Sequence, residues 1–148
     1  MEKEKYNPEK ILSKPIHGWS HFAFDEDMRV SYIDDVPIYL LEEIKNSLCN
    51  KKNFLVSFDS EGYEFTILSY DNYEVEVIIR KDEKKIITLE KNFKEFCYDI
   101  IYSIESDIND WSVFFFDNEN EKNIKKSRNK IKNLIKEIKE IIPNVFWY

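Results

Sequence analysis

Glycine is almost missing from this chain: Gly18 and Gly62 are the only two among 148 residues. A phosphate-cradling loop needs several glycines, so neither a P-loop nor a dinucleotide-binding turn can be built. No glycine-flanked serine marks a nucleophile elbow. Histidine is equally scarce, with His17 and His21 alone. Gly18 and the alternation around it favour a strand there, which sets the two imidazoles about 13 Å apart at Cα. That is too far for one metal ion, and no third ligand follows at a recognised spacing. The reading is no metal, no cofactor and no catalytic residue. Cysteine stops at Cys49 and Cys97. Two lone cysteines in separate predicted helices read as free, buried thiols of a reducing compartment. Apolar runs are short, and none approaches the roughly 20 residues of a membrane helix. The charged opening MEKEKYNPEK has no apolar stretch typical of a secretion leader. The expectation is a cytoplasmic protein with no membrane association.

What is present is enough for a core. Hydrophobic residues make up 43% of the chain and aromatics 16%, against 34% charged. A chain of this length buries roughly 70% of its unfolded surface, so it needs no staple. We read one domain over residues 1–148. The net charge of −7 is uneven. Residues 1–14 carry +1 and residues 120–148 carry +5, which leaves −13 on residues 15–119. Phosphates would be repelled by such a body, so nucleic acid is not an expected partner. A cationic protein would be steered toward it.

The pattern predicts an α+β fold. A hairpin is expected near 18–24 and 28–33, with Asp25, Glu26 and Asp27 displayed at its tip. A helix follows from about Pro37 to Cys49, on the spacing of Leu40, Leu41, Ile44 and Leu48. Four strands come next: NFLVSFD, YEFTILSY, YEVEVIIR and KKIITLE. Short turns, one of them at Asp71-Asn72, make them antiparallel neighbours. In the third, Tyr73, Val75, Val77 and Ile79 face one way and Glu74 and Glu76 the other, so one face is wet. Asn92 and Glu95 form a capping pair for a second helix. Its stripe runs from Phe93 through Phe96, Cys97, Ile100, Ile101, Ile104 and Ile108 to Trp111. VFFF at 113–116 reads as a frayed helix end or a short strand. The last helix spans about 121–142, with Ile124, Ile131, Leu134, Ile135, Ile138, Ile141 and Ile142 as its stripe and Pro143 as its stop. The aromatic tail VFWY reads as a cap on the core. Together these predict an antiparallel meander of about six strands with two or three helices on one face or end. The acidic body covers about 16–116, and the basic helix packs on it through its apolar stripe, with some lysines near the body's carboxylates.

Asp34 and Asp35 are the first candidate site. The residue before a proline avoids the helical region, so Pro37 is expected as the first helical residue, with both aspartates just outside. There the helix macrodipole holds their charge, which makes them fixed negative charges rather than a catalytic pair. Glu42 and Glu43 on the same helix, and Asp107 and Asp110 at the end of the second, complete the predicted contact set. Tyr70 or Tyr73 at a turn could anchor a partner. A paired-carboxylate hydrolase is the weaker alternative, because nothing singles out a pair.

Three stretches carry a resemblance: SYIDDVPIYLLEEI, VSFDSEGYEFTIL and YSIESDINDW. In texture and order, over roughly residues 16–116, the chain resembles small acidic bacterial immunity proteins of polymorphic-toxin systems, including contact-dependent growth inhibition. The resemblance implies a non-enzymatic protein, monomeric or weakly dimeric, that binds one cognate toxin domain. It would plug the toxin's active site or occupy an exosite beside it, with Asp34, Asp35, Glu42, Glu43, Asp107 and Asp110 as contacts. A non-catalytic scaffold module of another bacterial system is the alternative.

Overall fold

The computed structural model describes residues 6–70 and 73–145. The order is β1 (Trp19–His21), β2 (Arg29–Ser31), α1 (Val36–Asn50), β3 (Phe54–Asp59), β4 (Glu64–Tyr70), β5 (Glu74–Arg80), β6 (Lys84–Asn92), α2 (Phe93–Ser106), α3 (Ile108–Ser112) and α4 (Glu121–Val145). The fold is α+β, but the strands form two sheets rather than one. β3-β4-β5-β6 is the expected antiparallel meander; β1 and β2 pair only with each other. The hairpin strands are three residues each, too short to extend the meander. It docks instead through Phe22, whose ring meets Phe58 and Phe65 at 6.2 and 5.9 Å.

Register assigns the faces of the meander. Val56, Ile67 and Val77 stand in one row across β3, β4 and β5 and are fully buried. They share a core with Leu40, Leu41 and Ile44 of α1 and with Phe96, Ile100 and Ile104 of α2. Alternate residues, among them Leu55, Tyr70 and Ile86, are exposed on the other face. Tyr73 does not join the inward row. It precedes β5, beyond the last β4–β5 pair at Tyr70 and Glu74, where no ladder holds the alternation.

The Asn92–Glu95 capping box forms in full. The predicted single helix beyond it is two, breaking at Asp107. There an ion pair with Lys10 at 2.5 Å draws the side chain toward the N-terminal segment. α1 begins one residue early, with Val36 helical. α4 carries Pro143 inside it instead of stopping before it. The proline falls in the final turn, where it forgoes one bond to the Lys139 carbonyl and crowds only the turn before it. Cys49 is exposed, whereas Cys97 is buried. Five residues past Ile44, Cys49 lies about 140° round the helix from the core stripe. Phe146, Trp147 and Tyr148 lie outside the described residues, as does the Asp71-Asn72 turn. Among the described residues no helix is long and apolar enough to cross a membrane.

Candidate functional site: an acidic, aromatic groove

The groove begins with a backbone constraint. His17 and Gly18 both take positive φ, 51° and 78°, which turns the chain back into β1. A Cβ on Gly18 would stand 3.0 Å from the Tyr32 ring, so Tyr32 packs closely on a position whose positive φ and tight space favour glycine. The Tyr32 N–H donates to the Gly18 carbonyl at 2.9 Å. The Phe116 N–H in turn donates to the Tyr32 carbonyl at 3.0 Å. Three distant segments are thus laced together by main-chain bonds.

The third wall is the VFFF stretch, which forms neither helix nor strand. Trp111 is fully buried and meets Phe114 edge-on at 5.0 Å. With Phe114 turned in, Val113 and Phe116 turn out, 49% and 47% exposed. The Asn118 side-chain amide donates to the Ser112 carbonyl at 2.8 Å and closes the loop. The result is a groove of about 560 Å³ lined by Tyr32, Val113, Phe115 and Phe116, with Asp110 and Glu119 as its acids and no lysine or arginine. Tyr32 is 43% exposed, and Ile16, between lining residues Pro15 and His17, is 62% exposed. Through Phe115 and Asn118 the groove continues into a second recess of about 260 Å³ lined by Asp35 and Asp117 together with Lys126 and Lys130.

The predicted carboxylates separate into three groups. Asp110 lines the groove. Asp35 lines the adjoining recess, while Asp34 lines neither hollow and lies against Asp59; each has one buried oxygen (Asp34 Oδ2, Asp35 Oδ1) that has no hydrogen-bond partner. Burial pushes both carboxyls up in pKa, the reverse of what the macrodipole argument anticipates. For Asp34 the neighbouring Asp59 charge adds to this, against a backbone hydrogen bond from the same residue. For Asp35 the attraction of Lys130 opposes it. Asp35 occupies the N-cap of α1, and the Ile38 N–H comes near enough to favour its charged form without completing a well-formed cap hydrogen bond. Desolvation therefore outweighs the helix end.

The remaining three are held within the molecule. Glu42 pairs with Lys130 at 3.0 Å, Glu43 with Lys52 at 3.5 Å and Asp107 with Lys10. The hairpin tip is likewise a clamp rather than a display. Asp25 pairs with Lys85 at 2.6 Å and Asp27 with Lys81 at 3.1 Å. The Lys85 hydrogen bond draws the Asp25 carboxyl below its ordinary range.

The groove lining offers one imidazole, His17, and no serine, cysteine or lysine. It presents aromatic and aliphatic surface beside two carboxylates, Asp110 and Glu119. Among the described residues no three His, Cys, Asp or Glu side chains are grouped to hold a metal ion. Tyr32, Val113, Phe116 and Glu119 escaped the sequence reading. For Val113 and Phe116 a signal was present in VFFF, four consecutive apolar residues that no single regular element can bury together, whereas nothing local marked Tyr32 or Glu119. Comparison with family models, with curated proteins and with solved structures finds no match to this chain.

Proposed function

We propose that this protein is a non-catalytic immunity protein of the bacterial cytoplasm, which neutralises a cognate toxin domain by binding a basic, apolar-studded surface of it in the Tyr32–Phe116 groove. The observation that carries the reading is the groove itself, in which exposed aromatic side chains share a cleft with two acids and no lining lysine or arginine. Aromatic anchors in a desolvated centre supply most of the energy of a typical interface. The −13 charge on residues 15–119 would speed encounter with a cationic partner. A stable complex needs about 800 Å² from each side, more than the groove alone, so Asp34, Asp35 and the adjoining recess fall within the footprint. An ionised carboxylate oxygen buried without a partner gains most when a cation arrives.

Capture tests the reading. The protein serves as bait in lysate of its source organism, and what survives a salt wash is identified and expressed alone and with this chain. The account expects one protein that stops growth alone and is harmless in company. A captured protein that is innocuous alone, or toxic in both settings, would overturn it.

A further inference from the structure

The helices cover one face of the β3–β6 sheet and leave the other open. On that open face Leu68 is only 4% exposed, yet it lies outside the main hydrophobic core. Its neighbours on the same face therefore bury it. Register names them: Tyr70 stands across from Glu74, and Leu68 from Glu76. Tyr73 closes the end of this square, its N–H donating to the Tyr70 carbonyl at 3.3 Å. These five residues line a recess of about 260 Å³. Tyr70 and Tyr73 are, with Ile16, the most exposed of the large apolar side chains among the described residues, at 62% and 68%.

The two ends of the face differ in charge. At one end Arg80 stands between Glu64 and Lys84 in register and approaches the Glu64 carboxylate at 3.8 Å. At the recess end the positions flanking Glu74 and Glu76 on β6 are Asn92 and Thr88. Among the described residues no cation pairs with either glutamate. The recess thus combines two carboxylates, two aromatic rings and an apolar floor, and lacks the cation that this set would bind. A guanidinium is flat and weakly hydrated, so it can lie on a tyrosine face while its N–H edges reach carboxylates on either side. An ammonium lacks both the plane and the fork.

We propose that this recess takes an arginine side chain of a protein partner, as a second docking point separate from the Tyr32–Phe116 groove. The proposal rests on the immunity reading only for the source of the arginine; the recess can be tested without any toxin. The full chain, labelled with ¹⁵N, is titrated with N-acetyl-arginine amide and followed by amide chemical shifts. We expect saturable shifts confined to the amides around Leu68, Tyr70, Glu74 and Glu76, with a Kd on the order of millimolar for so small a ligand. The Glu74→Gln/Glu76→Gln variant, altered only on the open face, should keep its dispersed spectrum and bind about tenfold more weakly. N-acetyl-lysine amide should bind several-fold more weakly than the arginine probe. Absence of saturable shifts at these residues, undiminished binding by the folded variant, or equal binding of the lysine probe would overturn the proposal. Loss of toxin capture with this recess intact would count against the groove reading alone.

Discussion

Asp35 shows how one side chain exchanges stability for readiness. Burial raises its pKa in the folded protein, so the fold favours its protonated form. A group raised in this way supports the fold below its unfolded pKa and loses that support as pH rises through the folded value. Above its folded pKa the charged carboxylate, with Oδ1 buried and unpaired, is a cost that Lys130 and the Ile38 N–H offset only in part. Asp35→Asn should therefore raise Tm at pH 7, and the gain should shrink as the pH falls through the carboxylate range. Thermal melts at several pH values check this. At the opposite wall, Gly18→Ala should cost more than about 1 kcal/mol, because alanine at positive φ is strained and meets the Tyr32 ring. Tyr6 gives the alkaline counterpart. Burial, with its hydrogen bond to the fully buried Asp99, pushes it from the ordinary 10.0 up to about 12. Lys91, held by the same carboxylate, is also raised. Both contributions are complete below pH 10 and fade above it. The Tm difference between the wild type and Tyr6→Phe should accordingly vanish as the pH approaches 12.

At the scale of elements, the basic helix α4 asks whether charge or apolar contact holds it to the body. Lys130 reaches Glu42, Lys139 reaches Glu105, and Lys45 of α1 reaches Glu137, but all these side chains are substantially exposed. Exposed pairs contribute about 0–1 kcal/mol each. Ile131 and Ile138 are fully buried, and emptying such a site costs about 2–5 kcal/mol. Ile131→Ala and Ile138→Ala should each lower the urea midpoint strongly, whereas Lys130→Ala and Lys139→Ala should barely move it. The elements themselves were largely legible, because a period of two or 3.6 survives in a single chain. The stripe from Phe93 to Ile104 and the Asn92–Glu95 cap are where the spacing places them. The break at Asp107 was not legible, since the apolar stripe runs on through it, and the ion pair found there joins it to Lys10, a residue almost a hundred positions away. Nor was the separation of the hairpin from the meander, which depends on where Phe22 finds room.

For the whole molecule, charge counted along the chain differs from charge available at the surface. Of the six carboxylates singled out from sequence, Glu42, Glu43 and Asp107 are engaged by Lys130, Lys52 and Lys10. Pattern places a carboxylate on an element but does not say which lysine the fold brings to it. The joining of Tyr32 to Phe116 was illegible for the same reason: it is a main-chain bond between residues 84 positions apart in sequence. What remains is an acidic groove with its aromatics already positioned, and the immunity account depends on it. The most direct test is growth rescue. Cells producing the captured toxin domain are given the wild-type chain or the Tyr32→Ala/Phe116→Ala variant, after circular dichroism has shown the variant to be folded. The account predicts that the wild type restores growth and the folded variant does not. Full rescue by the variant would contradict it.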